Sequence, residues 1–217
     1  MEWERKRYSP VDFGLRPLET AIRDDWMVAL RYDGEAEGPW IADLSHRPKW
    51  DLQSPAIDDL NPWGLEVPAA PGRCTANAGR FANRMNRTQA SLWDLGWESS
   101  GPPLESGVTG VTDVTDGLCL LALLGNVISR VLEKLSPLDL SSPAQDAPFL
   151  VQGPVCRIPC QVVAARRSDP MVMMLAFSRG YGQAMAEALM EAGKAHGLRP
   201  CGESRFLDLL HDAAFQK

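Results

Sequence analysis

Histidine is scarce, with only His46, His196 and His211 in 217 residues. A metal site built from a histidine cluster is therefore not expected. Cysteine is also sparse and odd in number: Cys74, Cys119, Cys156, Cys160 and Cys201. Cys156 and Cys160 flank Arg157-Ile158-Pro159, yet no second Cys or His pair stands at zinc-binding spacing. Long hydrophobic runs are missing: none exceeds seven residues, as in Leu118–Leu124. A bilayer span needs about 20, so no membrane segment is expected. The opening Met1-Glu-Trp-Glu-Arg-Lys-Arg7 is charged but leads into no apolar stretch. It does not read as a signal peptide, and reduced thiols in a cytoplasmic protein are the expectation. Basic excess is missing too. Lys and Arg number 22 against 28 Asp and Glu, a net charge of −6. That argues against a nucleic-acid partner, which calls for a basic face. No repeat of solenoid period is present.

What is present is apolar material: 45% of residues are hydrophobic and 23% charged. This suffices to bury a core in one domain or two small lobes. Two breaker-rich stretches, Glu98–Gly107 and Ser136–Pro148, read as loops or lobe connections. The division expected is a front lobe over 1–107 and a back lobe over 108–217, both forming one domain.

The back lobe has the clearer pattern. Leu118–Leu124 reads as a strand buried on both faces. Leu124, Ile128, Val131, Leu132, Leu135 and Leu138 then recur at helical offsets until Pro137 intervenes. Ile158, Cys160, Val162 and Ala164 alternate as in a strand, with Pro159 near its start or on an edge. Arg166–Pro170 is a polar turn, Met171–Phe177 a second buried strand, and Tyr181–Lys194 a helix whose end Gly193 and Gly197 can supply. The order predicted is β-α-β-β-α, half of a split βαβ, ferredoxin-like plait. In the front lobe, Trp26–Tyr32, Trp40–Leu44 and Lys49–Leu52 read as strands and Pro55–Leu60 as a short helix. Phe81–Leu95, with three polar amides, fits neither period.

Four segments in order resemble the glycine-cleavage T protein (aminomethyltransferase) family. Ile41-Ala-Asp-Leu-Ser-His-Arg47 resembles its Phe-Asp-Val-Ser-His segment. Asn86-Arg-Thr-Gln-Ala-Ser-Leu-Trp-Asp-Leu95 resembles its Asn-Glu-x-Gly-Gly-Ile-x-Asp-Asp-Leu segment. Thr112-Asp-Val-Thr-Asp116, with the strand and Gly125 after it, resembles the start of its next lobe. Leu189–Gly202 resembles its closing Ala-Gly…Gly-Leu-x-Pro-x-Gly. The length and the Ser9-Pro10 pair are similar to a shorter branch, the gamma subunit of heterotetrameric sarcosine oxidase.

The resemblance implies an α+β, two-lobed folate-binding fold built from ferredoxin-like plait units. It implies an accessory subunit of a complex that oxidatively demethylates an amine and passes the one-carbon unit to tetrahydrofolate. Larger flavin- and folate-binding subunits would be the partners, with flavin held only by them. The alternative is a small tetrahydrofolate-dependent methyl or aminomethyl transferase acting with a partner. The candidate folate contacts are Asn86, Asp94 and Arg166, with no catalytic residue and no metal ligand assigned. Two departures bear on this. Trp93 replaces the first carboxylate of the Asp-Asp pair, and Arg167–Pro170 stands where the family places a pterin-binding glutamate. A pterin's donor-rich edge calls for a buried carboxylate.

Other features have plainer readings. Asp43, Ser45 and His46 contain the residue types of a hydrolytic triad, but neighbours on a strand face opposite ways. His46 is expected in a turn, exposed or hydrogen-bonded. Arg166-Arg167 could grip an anion. Arg179-Gly-Tyr-Gly-Gln183 resembles the signature of a folate-binding iron–sulfur repair family but lacks its cysteine. The tryptophans of the front part and the eight methionines suggest a face that docks on another subunit.

Overall fold

The computed structural model describes residues 7–97, 101–104, 110–140, 146–167 and 169–211. The front half forms β1 (Glu19–Arg23), β2 (Trp26–Arg31), β3 (Trp40–Asp43), β4 (Lys49–Gln53), β5 (Cys74–Asn77), β6 (Arg80–Asn86) and β7 (Gln89–Asp94). Then come β8 (Val111–Asp113), β9 (Leu118–Leu124), α1 (Ile128–Glu133), β10 (Phe149–Val155), β11 (Ile158–Arg166) and β12 (Val172–Ser178). The chain closes with α2 (Gly182–Gly193), β13 (Arg199–Cys201) and α3 (Glu203–His211).

A six-stranded sheet runs β10-β11-β12-β9-β3-β13. All neighbours are antiparallel except β13, which lies parallel to β3 with Pro200 opposite Ile41. The run Leu118–Leu124 is central, and six of its seven residues are fully buried. Burying each such leucine contributes about 1.5–3 kcal/mol. One face of the sheet is covered by α1 and α2 through Ile128, Leu132, Met185 and Leu189. The other face packs on Phe81, Trp93 and Leu95 of the second sheet and on Phe206, Leu207 and Leu210 of α3. That second sheet runs β5-β6-β7-β4-β8, and β1 with β2 form a small separate ribbon.

The plait is present and complete: β9-α1-β11-β12-α2-β13 follows the split βαβ order. Two features modify it. β10 adds an edge strand paired with β11, in which Pro154 and Gly153 had hidden the strand pattern. β3, from the front part, is inserted between β9 and β13. The β-α-β-β-α order read from the sequence is therefore corrected by one strand. Val111–Asp113 likewise pairs with β4 in the front sheet, so the two sheets exchange strands across residue 107.

Phe81–Leu95, unassigned by periodicity, is the β6–β7 hairpin. Both strands are buried on both faces, which removes the polar alternation. α1 ends at Glu133, short of Leu138, because Ser136 and Pro137 cannot continue it. The centres of the two breaker-rich loops, 98–100, 105–109 and 141–145, lie outside the described residues. The tryptophans correct another expectation. Trp26, Trp40, Trp50 and Trp93 are core residues, Trp63 packs edge-on to Trp50 at 5.3 Å, and Trp97 alone among those described is half exposed. Among the described residues no helix is long and apolar enough to cross a membrane.

Candidate functional site

The short connection from β3 to β4, Leu44–Pro48, joins the two sheets and carries a dense polar network. Ser45 Oγ donates to Asp43 Oδ1 at 2.6 Å, and the Ser45 amide donates to the same oxygen at 3.0 Å. Ser45 Oγ also accepts from the Leu120 amide at 3.2 Å, which ties the turn to β9. Lys49 is wholly buried, and its ammonium donates to the carbonyls of Ser45 at 2.9 Å and Arg47 at 2.7 Å. Burial pushes its pKa down to about 8.

Beyond the turn, His46 and Arg47 converge on Glu203, the first residue of α3. His46 Nε2 lies 2.7 Å and Arg47 Nη2 2.5 Å from Glu203 Oε1. Arg23 Nε donates to Oε2 at 2.7 Å. Burial alone would raise the Glu203 carboxyl. The hydrogen bond from His46, and the charges of Arg47 and Arg23, overcome that and hold it below the usual range. Burial dominates at His46, whose pKa falls below 6.5, so the ring is neutral at pH 7. Asp43, Ser45 and His46 thus form no triad: the serine bonds to the aspartate while the histidine turns to Glu203. His46 is buried and hydrogen-bonded, which corrects the exposed half of its expected setting.

A cavity of about 300 Å³ lies beside this network. Its wall includes Tyr8, Phe13, Trp26, Tyr32, Asp43 and His46. Residues 8–17 form its roof, and the Arg179–Gln183 motif anchors that roof. Gln183 grips the backbone of Asp12 twice, its Oε1 accepting from the amide at 2.8 Å and its Nε2 donating to the carbonyl at 3.0 Å. Arg179 donates to the Tyr8 carbonyl at 2.5 Å. Pro10 occupies the space a side chain at Gly182 would need: a Cβ there would stand 2.7 Å from the Pro10 Cβ. Ser9 Oγ closes the arrangement with a hydrogen bond to Asp43 Oδ2. The motif that resembled a folate-binding signature acts here as a clasp for the N-terminal segment.

The three residues singled out from the sequence lie elsewhere. Asn86 ends β6, where its side chain holds the hairpin turn through Gln89 and the Thr88 amide. Asp94 sits at the opposite end of that hairpin, paired with Arg80, so roughly 20 Å of strand separates the two. It is buried, and Oδ1 accepts from the Gly96 amide at 3.3 Å. Arg166 belongs to the other sheet, and its Nε donates to the Pro170 carbonyl at 2.8 Å. Its neighbour Arg167 lies over the Phe149 ring at 6.0 Å. Asn86 and Asp94 thus stand at opposite ends of one hairpin, and Arg166 stands in the other sheet. Sequence reasoning missed Glu203, Arg23, Trp26, Tyr32 and Lys49, which carry no local signal. The thiols of Cys119, Cys160 and Cys201 are buried, and burial pushes Cys119 up to about 12 and Cys160 to about 11.

No family model matches the sequence, and neither does any curated protein. Solved structures do. A chain of the heterotetrameric sarcosine oxidase from Corynebacterium sp. U-96 matches with a TM-score of 0.60 at 15% identity, covering 71% of this chain and 83% of that one. This chain has the glycine-cleavage-T-like fold. The glycine cleavage system aminomethyltransferase T from Bartonella henselae matches with a TM-score of 0.57, also at 15% identity, covering 86% of this chain. The match spans just over half, 56%, of that aminomethyltransferase. Within the glycine-cleavage-T-like fold, the cavity roofed by residues 8–17 combines polar and aromatic groups on its wall.

Proposed function

We propose that the chain is a non-catalytic subunit of a hetero-oligomer that oxidatively demethylates an amine and transfers the one-carbon unit to tetrahydrofolate. Flavin and folate would sit on larger partner subunits. The observation that carries this reading is the separation of Asn86 from Asp94. A pterin edge calls for acceptors converging in one buried site. Here the Asn86 amide is engaged in a turn and Asp94 accepts from the Gly96 amide some 20 Å of strand away. This separation supports placing tetrahydrofolate on a partner subunit.

Two further points support the reading. The matched sarcosine oxidase chain is shorter than this one and comes from a heterotetramer, whereas the aminomethyltransferase is covered only to 56%. Tyr8, Leu15, Leu18 and Ile22 are each more than half exposed around the β1–β2 ribbon, where Ile22 pairs with the part-exposed Met27. Apolar side chains gathered this way mark contact surfaces.

The test is affinity purification of the tagged chain from its native cells. Co-purification of flavin-containing subunits is expected. A monomer that binds tetrahydrofolate with micromolar affinity overturns the proposal and favours the transferase alternative.

A further inference from the structure

The subunit reading leaves open what covers the β1–β2 ribbon. β1 (Glu19-Thr-Ala-Ile-Arg23) pairs with β2 on one side, and among the described residues no strand pairs with its other side. A free strand edge is a row of amides and carbonyls ready to pair with another chain. The edges of the two larger sheets are protected. Pro154 lies in β10 and Pro200 in β13, while β5 has four residues and β8 three. β1 has five residues and contains neither proline nor lysine. Its register with β2 shifts beside Glu19, but the extra residue, Leu30, is on β2, so β1 itself runs regularly.

The ribbon is also apolar where it meets solvent. Leu18 is 58% and Ile22 57% exposed, and Met27, opposite Ile22, is 39% exposed. Apolar exposure suits the edge to a partner without saying which one. The end charges decide it. Two copies of β1 running antiparallel about Ala21 set Glu19 of each opposite Arg23 of the other, and Thr20 opposite Ile22. Two-fold symmetry makes each of these contacts twice. Parallel copies in register would set like charges side by side, and an antiparallel pair shifted by two residues would put Glu19 or Arg23 opposite Ala21. Both charged groups are accessible. The Glu19 carboxylate is 55% exposed, and its ion pair with Arg31 is loose at 3.7 Å. Arg23 is 39% exposed and gives Nε to Glu203, which leaves the Nη donors of its guanidinium for a second carboxylate.

We propose that a second copy of this chain docks on β1 in antiparallel register, forming a continuous four-stranded sheet β2-β1-β1-β2 across a two-fold axis at Ala21. The Glu19–Arg23 pairs fix the register, and Leu18, Ile22 and Met27 supply apolar contact beside them. One strand pair is a small interface, so the association is reversible and depends on concentration.

The test is sedimentation of the full chain, in the assembly in which it purifies, over a concentration series. Two copies of the chain per particle are expected at the upper concentrations. Glu19→Lys sets lysine opposite arginine at two symmetric positions and should weaken self-association about tenfold or more. Ala21→Cys tests the register. Directly opposite Cα atoms stand about 4.5–5.5 Å apart, within disulfide reach. Under oxidised glutathione this variant should therefore cross-link to a second copy of itself, and the native chain should not. One copy per particle at every concentration overturns the proposal. So does self-association that Glu19→Lys leaves unchanged, or an Ala21→Cys chain that forms no cross-link or cross-links to a different polypeptide. The copy count needs no variant, so a misfolded mutant leaves the test intact. Copy number is read separately from the identity of co-purifying subunits, so this proposal and the subunit reading can fail independently.

Discussion

His46 and Glu203 are 157 residues apart in the chain, and their side chains meet at 2.7 Å. The contact exists because β3 is inserted beside β13, which places the turn after one strand against the first residue of the helix after the other. Arg47 and Arg23 complete the same cluster, so one buried carboxylate holds together the turn, the β1–β2 ribbon and α3.

Glu203→Ala should therefore be strongly destabilising. Removing one partner of a buried ionic cluster leaves the others uncompensated, at a cost of about 3–5 kcal/mol. Urea unfolding of the variant against the native chain measures it. A loss below about 1 kcal/mol would mean that the cluster is solvated.

The same cluster sets a pH dependence. The folded-state pKa values of His46 and Glu203 are both lowered. Below pH 6.5 the unfolded chain takes up a proton at His46 that the folded chain does not yet hold, and Glu203 adds the same effect below pH 4.5. The unfolded state then binds more protons, so stability falls with falling pH through this window. Midpoints of urea unfolding at a series of pH values should show the decline, and His46→Gln should flatten its upper part.

Lys49→Met should also destabilise the fold, because the Ser45 and Arg47 carbonyls lose their buried donor, at about 1–3 kcal/mol. The native chain should gain stability as pH rises from about 8 to 10.5, since only the unfolded lysine stays protonated there. The variant should lack that part of the rise. An unchanged alkaline slope would show that Lys49 is not the titrating group.

Gly182→Ala tests the clasp on the roof. The added Cβ would stand 2.7 Å from the Pro10 Cβ and 2.9 Å from its carbonyl oxygen, so residues 8–17 must shift. Faster hydrogen exchange at Val11 and Asp12, with the β9 and β12 amides unchanged, is the expected result. Uniform exchange across the chain would instead mean that the roof and the core open together.

What the sequence determined by itself is local. The strands at β9, β11 and β12 and the helix α2 all follow from short-range patterns of apolar residues, because burial on one or both faces imposes a period on neighbouring positions. The hairpin of β6 and β7 escaped, because strands buried on both faces and carrying Arg84 and Asn83 inside show no alternation. β10 escaped because an edge strand tolerates the Gly-Pro pair that a central strand would not. Four short segments were enough to indicate the plait-based fold that the solved structures share. Tertiary structure alone decided the order of strands, and with it the site. Inserting β3 between β9 and β13 brought Asp43 and His46 to the cavity and Glu203 to His46. Asn86 and Asp94 stand at opposite ends of the β6–β7 hairpin, and Arg166 in the other sheet. Strand order is set by which faces pack over long sequence separations, and apolar alternation along one strand carries no information about its neighbours.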